Sequence, residues 1–403
     1  MTASAITSRN VLLRALIASV ALVTVAMPAA IVLGGYLPIL PTIGWFGVHL
    51  TTNLPAVLLW TLSALLLALL ARRLGGGRFT NLLIGAIAVV LGGALLAGAQ
   101  LWLLLATNGA QYGPELRLGP APGYRSADEK VVFATVGGVD LHAGLWRPVS
   151  IPEAPVPEPG PAVVFVHGGG FVGGGLDEHP ALFQAVTDAG FIAIDIEYRL
   201  APPPRWDQAP GDVLCALAWL REAAADLAVD PTRVTLAGDS AGGSLALVAG
   251  YAAPDRIESS CGGDPIVPVG IVAIEPAADL GGIWQDGTIA DSDAGGATTF
   301  PEAYIGGPPT EYPDRYSAAA PFWLMSKDVP RTLIVTGAND HLVRLRRVQV
   351  IADQLRSVEA RYRFIVIPFA DHGLDGNPAS AGAQLLEGLL PRFMANPPAV
   401  IGD

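Results

Sequence analysis

The run Gly238-Asp239-Ser240-Ala241-Gly242-Gly243 follows an apolar, β-type stretch (233–237) and precedes a helical pattern (244–253). A serine on a sharp strand-to-helix turn needs small neighbours two positions to either side, and Gly238 and Gly242 supply them. Such a turn points the Ser240 hydroxyl outward at a helix N-terminus, whose positive dipole end favours an alkoxide-like nucleophile and an anionic intermediate. The chemistry open to it is nucleophilic attack on an acyl carbonyl. Seventy-three residues earlier, His167-Gly168-Gly169-Gly170 closes another apolar stretch (162–166). Glycines there let backbone N–H groups approach a reacting carbonyl, and His167 is expected to bond backbone and hold the turn. Gly168, Gly170 and Gly173 also spell G-x-G-x-x-G, with Asp195 and Glu197 roughly where a ribose-binding acid would stand. No helix opens at Gly173, however, and a dinucleotide site would leave Ser240 without a role.

A serine nucleophile needs a base, and there are six histidines. His49 lies in an apolar N-terminal region, His142 inside a strand, His179 in a loop before Pro180, and His167 in the glycine loop. His341 and His372 remain. His372 stands in Ala370-Asp371-His372-Gly373, directly after the last β-type run, where sheet-end loops carry catalytic groups. With a serine on this kind of turn the chain order is serine, acid, histidine. Asp340 fits that order, following the run 331–336 through Gly337-Ala338-Asn339, one hundred residues after Ser240 and thirty-two before His372. The rival pairing, His341 as base and Asp371 as acid, reverses the order.

Several elements must position these groups. Two alternating runs, 130–136 and 139–146, are joined by Gly137-Gly138, the mark of a tight hairpin. After a Pro-rich loop (152–161) come apolar β-type runs at 162–166, 191–196, 233–237, 269–274, 331–336 and 361–367, separated by helix-length segments such as 210–225 and 379–394. Strands that read as continuous apolar runs between helices indicate a mostly parallel sheet covered on both faces, an α/β fold. The exception is 275–328, long, rich in Gly and Pro, and carrying Trp284, Phe300, Tyr304, Tyr312, Tyr316, Phe322 and Trp323. An insertion of that length reads as a cap or lid that binds substrate.

The order and spacing of these motifs resemble the hormone-sensitive-lipase branch of the α/β-hydrolases over about 129–391. The resemblance rests on the HGGGF run at His167 to Phe171, on Tyr198-Arg199-Leu200-Ala201-Pro202, on the GDSAGG run at Gly238 to Gly243, and on the acid and histidine loops. It implies an α/β-hydrolase fold with a cap insertion, hydrolysis of carboxylic esters through an acyl-enzyme, and no cofactor or metal. It also implies an oxyanion hole made by Gly169, Gly170 and Ala241. The sequence departs from the pattern at His341-Leu342-Val343-Arg344, where the family often has Pro-Leu and a further acidic pair, and in lacking the usual N-terminal cap helices. An amidase, a deacetylase or an acyltransferase could use the same triad. So could a hydrolase scaffold turned ligand sensor, although a sensor has no need of Ser240, His372 and Asp340 together.

The region before the sheet differs in kind. No acidic residue precedes Glu115, and the only charges there are Arg9, Arg14, Arg72, Arg73 and Arg78. The rest holds 36 acidic against 24 − 5 = 19 basic residues, a net −17. So acidic a domain, without a basic stripe, excludes a nucleic-acid partner. Apolar stretches at 11–33, 54–71 and 82–106 are each long enough to cross a ~30 Å hydrocarbon layer as a helix. Small residues in the third (Gly85, Gly92, Gly93, Ala97) would admit a neighbouring helix, and Tyr36, Trp45, Trp60, Trp102 and Tyr112 suit the membrane interface. The connection 34–53, broken by Pro38, Pro41 and Gly44, reads as an interfacial loop.

The division expected is therefore a membrane region 1–110, a linker 111–128 and a catalytic domain 129–403. Arginines before the first span and between the second and third, with none in 34–53, put the N-terminus inside and the acidic domain outside the cytoplasm. A cleaved signal peptide over 14–30 would leave two spans and the same orientation; a soluble hydrophobic bundle is the remaining alternative. The two cysteines, Cys215 in a helical segment and Cys261 in a Gly-rich loop, have no metal-ligand spacing and read as two separate thiols, a bridge between them being left open.

Overall fold

Eight strands form a single sheet in the order β1-β2-β4-β3-β5-β6-β7-β8. They are β1 (Glu129–Val136), β2 (Val139–Trp146), β3 (Gly160–Val166), β4 (Ile192–Ile196), β5 (Val229–Asp239), β6 (Gly270–Ile274), β7 (Arg331–Gly337) and β8 (Tyr362–Ile367). The computed structural model describes residues 3–38, 44–113, 123–148, 159–252, 256–288, 297–374 and 376–395. Half of the expected linker, parts of the Pro-rich loop and of the insertion, the centre of the 34–53 connection and the C-terminal end of the expected catalytic domain lie outside them.

Hairpin β1–β2 is antiparallel and β2 pairs antiparallel with β4, while β4, β3, β5, β6, β7 and β8 are mutually parallel. The register sets Val166 against Gly238, Asp239 against Ile274, and Gly337 against Ile367. The loops leaving β3, β5, β6, β7 and β8 therefore emerge along one edge, which is what gathers residues distant in sequence into one place. Alternation along the strands divides the core. Val164 and Val166 face one apolar layer with Val213, Leu217, Leu245 and Ile351, and Val163 and Phe165 face another with Phe183, Leu385 and Leu389.

Before the sheet run three long helices, α1 (Ala3–Tyr36), α3 (Leu54–Arg73) and α4 (Arg78–Thr107), with a single turn α2 (His49–Thr52) between the first two. Each of the three is long and apolar enough to cross a membrane. Unlike a water-soluble bundle, they expose many large apolar side chains (Leu12, Val23, Leu66, Leu82, Val89), while Ala21, Ala64, Ala68, Ala94 and Ala97 are buried beside Leu83, Ile87 and Leu101. The small-residue row expected along the third span is used only in part: Gly93 packs on Val32 and Ala97 is buried, but Gly85 and Gly92 face open space. One end of the bundle joins the second sheet layer, since Leu50, Leu54, Leu101 and Leu105 belong to the same apolar cluster as Phe165, Ile367 and Leu389. Arg363 at the start of β8 donates to Asn108 at 2.5 Å, and Gly113 donates to Gln384 at 2.8 Å.

The remaining α-helices among the described residues are α5 (Pro180–Asp188), α6 (Ala209–Ala223), α7 (Ser240–Tyr251), α8 (Leu280–Gly287), α9 (Thr299–Ile305), α10 (Pro313–Ala319), α11 (Leu345–Ser357) and α12 (Ala381–Ala395). The helical pattern placed after the serine at 244–253 begins at Ser240 itself, because the glycines behind it enter the helix. Cys215 of α6 and Cys261 form a disulfide, correcting the reading of two separate thiols. The structure brings the loop after α7 back against α6: Ser260 donates its N–H to Gly211 and Arg221 bonds the carbonyls of Asp264 and Pro265. No local pattern announces that return.

Candidate active site

The nucleophile turn is built by close backbone approach. A side chain on Gly242 would run into the carbonyl oxygen of Val166 on the neighbouring strand, so only glycine lets α7 start against the end of β3. Ser240 is held at φ 49°, a conformation that costs a non-glycine residue on the order of 1–2 kcal/mol and turns its side chain out of the sheet edge. Its Oγ lies 3.0 Å from His372 Nε2, and His372 Nδ1 lies 2.8 Å from Asp340 Oδ2. Asp340 is itself fixed, its other oxygen accepting the N–H groups of Leu342 at 2.9 Å and Val343 at 2.7 Å. Three loops, leaving β5, β7 and β8, thus bring hydroxyl, imidazole and carboxylate into one hydrogen-bonded line.

Beside the nucleophile turn the glycine loop takes a shape that side chains resist. Gly169 and Gly170 have φ of 94° and 61°, and a Cβ on Gly169 would strike the backbone of Gly173. Ala241 is buried in the first turn of α7, where helix N–H groups have no intrahelical acceptor. His167 is buried, its ring stacked on Tyr198 at 4.5 Å with Nδ1 2.8 Å from the Gly168 carbonyl, and the Tyr198 hydroxyl donates to the carbonyls of His167 (3.3 Å) and Gly168 (3.2 Å). Burial holds the imidazole of His167 below its ordinary pKa, as suits a structural, neutral ring. Gly168 lies against Asp239 and Ser240, and Gly238 against the backbone of Gly242. The residues named from the sequence for the triad, the oxyanion hole and the glycine motifs therefore lie at this one edge.

The structure adds two groups that the sequence reading did not place here, and it positions the rival pair. Glu275, the first residue after β6, is 1% exposed and adopts φ 39°. Its carboxylate accepts the N–H of Gly373 at 2.6 Å and of Leu374 at 3.4 Å, and approaches His372 Nε2 to 3.8 Å. A lone acid ending an apolar run, between the strands that lead to Ser240 and Asp340, is the signal that could have found it. Second, His179 Nε2 lies 3.1 Å from Asp239, beside the nucleophile. His341 and Asp371 bond one another at 2.7 Å, so the rival pair is adjacent to the site without being the pair that meets the serine.

Electrostatics follows from this arrangement. Burial pushes the His372 imidazole toward its neutral form, but the carboxylates of Glu275 and Asp340, the Asp340 hydrogen bond and the more distant Asp239 outweigh it, and the pKa stands above the ordinary imidazole value. Glu275, Asp340 and His372 also have ligand atoms within 4.8 Å of one another. That set is the hydrogen-bonded carboxylate–imidazole arrangement just described, with one imidazole nitrogen already facing the serine.

The insertion reaches the glycine loop through Phe300 and Tyr304, and several of its aromatics are packed inside it. Tyr304 and Tyr316 are buried, and Tyr304 stacks on Phe171 at 3.9 Å. Trp284 donates to Glu302 at 2.6 Å, and Arg347 of α11 bonds Asp286 and Asp279. Most of the rings hold α8, α9 and α10 down. Phe300 lies against Gly170 and Trp323 is exposed.

A family profile described as the alpha/beta hydrolase fold matches residues 163–375, just over half of the chain. The chain belongs to the α/β-hydrolase fold family. Among similar proteins, esterase LipC of Mycobacterium tuberculosis is 27% identical over 236 residues, which are 57% of this chain and 56% of LipC. Ethyl acetate hydrolase of Pseudomonas putida is 43% identical over 117 residues, 29% of this chain and 36% of that protein. The chain thus spans about half of the first relative and about a third of the second. An esterase of Pyrobaculum calidifontis has the same fold, with a TM-score of 0.54 at 23% identity over 73% of this chain and 89% of its own. Thermogutta terrifontis esterase 2, solved phosphonylated by sarin, gives 0.54 at 22% identity over 72% of this chain and 100% of its own.

Proposed function

We propose that the protein is a membrane-anchored serine hydrolase that cleaves carboxylic esters, with Ser240 as nucleophile, His372 as base and Asp340 as orienting acid. The observation that carries this reading is the line Ser240–His372–Asp340, bonded at 3.0 and 2.8 Å and facing a glycine loop. His372 Nε2 takes the Ser240 proton as Oγ bonds to the acyl carbon, and the carbonyl electron pair moves onto oxygen. The N–H groups of Gly169, Gly170 and Ala241 hold that oxyanion. The imidazolium, balanced by Asp340, then protonates the departing alkoxide. The alcohol leaves, and water, deprotonated by the same imidazole, releases the acid from the acyl-enzyme. The names of the relatives, esterase and ethyl acetate hydrolase, favour an ester over an amide.

Anchoring is supported by the three apolar helices and their exposed Leu and Val side chains, which suit lipid better than water. An extracytoplasmic catalytic domain agrees with the arginine distribution and with the Cys215–Cys261 bond, since disulfides persist in oxidising compartments. The test is hydrolysis of p-nitrophenyl esters of increasing acyl length by the full chain in detergent micelles, beside Ser240→Ala. Hydrolysis by the wild type is expected to fall on the order of 10⁶-fold in the variant. Equal hydrolysis by the two proteins would refute the assignment.

A further inference from the structure

The acid loop after β7 and the histidine loop after β8 are tied together twice, in opposite directions. Asp340 of the first reaches His372 of the second at 2.8 Å. Asp371 of the second accepts the ring nitrogen Nδ1 of His341 at 2.7 Å and its backbone N–H at 2.9 Å, and also the N–H of His372 at 2.7 Å. Burial raises the Asp371 carboxyl, but the His341 bonds and the backbone N–H of His372 hold it below its ordinary value. Asp371 is therefore an anionic hub between the two loops.

The region before the sheet reaches this hub. Trp45, in the connection between α1 and α3, stacks on His341 with ring centroids 4.9 Å apart and planes 9° from parallel. Asn339 Nδ2 donates to the carbonyl of Gly35 at 3.1 Å, and Tyr36 meets Phe369 edge to face at 5.0 Å. Asn339 and His341 flank Asp340; Phe369 and Asp371 precede His372. So the end of the first apolar helix and the connection after it touch both loops within three residues of the groups proposed to do chemistry.

We propose that this end of the helical bundle is a positioning element of the active site, acting from Trp45 through His341 and Asp371 on His372 and Asp340. The inference rests on the reading of Ser240, His372 and Asp340 as a triad. A triad requires its imidazole in productive geometry, and a misplacement of about 1 Å costs about a hundredfold in rate. Trp45 covers one face of His341, and His341 supplies two of the three donors described for Asp371. Loosening the ring should therefore free the backbone that carries His372. The spans then do more than tether the domain: their seating sets the efficiency of the site.

The test uses the full chain in lipid nanodiscs and a short, water-soluble p-nitrophenyl ester, so that partition of substrate into lipid plays no part. Trp45→Leu keeps an apolar residue but removes the flat ring, and Trp45→Phe keeps a ring. The expected result is a fall of about tenfold or more in kcat for Trp45→Leu with KM within threefold, and most of the rate retained in Trp45→Phe. His341→Ala should fall similarly and shift the pH–rate profile, while Asn339→Ala gives a smaller loss. An unchanged thermal midpoint in Trp45→Leu shows that the loss is one of positioning. Wild-type kcat and pH profile in both Trp45→Leu and His341→Ala, with Ser240→Ala inactive, would overturn the proposal and leave the triad standing. Activity persisting in Ser240→Ala would overturn the triad reading, and this inference with it.

Discussion

In the N-terminal helices many large apolar residues face outward: Leu12, Leu66, Leu82 and Val89 are exposed, while Ala21, Ala64, Ala68 and Ala97 are buried together with larger residues such as Ile87 and Leu101. Around the sheet the order is the usual one for water, with Phe165, Phe183, Leu245 and Ile351 buried and a surface rich in acid. The same physics produces both. Water drives large apolar groups inward; on the anchoring proposed above the bundle would lie in lipid, whose tails solvate leucine as well as a protein core does and leave close van der Waals approach to hold helices together. The two halves nevertheless share one apolar cluster, which runs from Leu101 and Leu105 of the bundle to Ile367 and Leu389 beside the sheet. They meet along α12 and β8, the side of the molecule from which the histidine loop departs.

This contrast can be probed at both ends. The largest effect is expected from a change that touches only the chemistry. Asp340→Asn should lower kcat by about 10⁴-fold, because the amide holds the wrong imidazole tautomer, while membrane integration of the chain is unchanged; kinetics beside carbonate extraction checks both. Next comes the exterior. Leu66→Arg on the outward face of α3 should cost about 3 kcal/mol of insertion, read as protein lost from the membrane fraction. The parallel change Val350→Arg, at an exposed position of α11, should alter stability by no more than about 0.5 kcal/mol. Equal tolerance at the two sites would remove the distinction between the surfaces.

The smallest effect is a shift in pH dependence. His372 serves as base only when neutral, and Glu275 and Asp340 raise its pKa, so activity should be lost as pH falls, along a limb lying above the ordinary imidazole value. Glu275→Gln removes one of those charges and keeps an oxygen to accept the N–H of Gly373. The limb should move to lower pH by about one unit, with a higher rate at neutral pH. A limb that stays in place would mean that Glu275 only anchors the loop.

Much of the frame was legible because it is written in local pattern. The apolar runs after Gly137-Gly138 mark the strands, and the one-residue-in-two alternation of Val163 to Val166 is what divides the core. Ser240, Asp340 and His372 were legible because each follows the end of such a run, and a parallel sheet brings all those ends to one edge. What depended on the return of the chain was not. The Cys215–Cys261 bond needs the loop after α7 to fold back on α6. Glu275 was hidden by standing at the head of a long insertion. That Tyr304 and Tyr316 are buried is not announced by a Gly- and Pro-rich insertion dotted with aromatics. His341 and Asp371 could be seen as a pair, but Trp45 lies 296 positions before His341 in sequence, and only the docking of the bundle brings them together.

The most direct test of the central claim is covalent. The full chain in micelles would be treated with a fluorophosphonate and the adduct located by peptide mass analysis, beside Ser240→Ala and His372→Ala. The account predicts one adduct, on Ser240, absent from the first variant and formed far more slowly in the second. An adduct elsewhere, or labelling of Ser240→Ala at the wild-type rate, would contradict it.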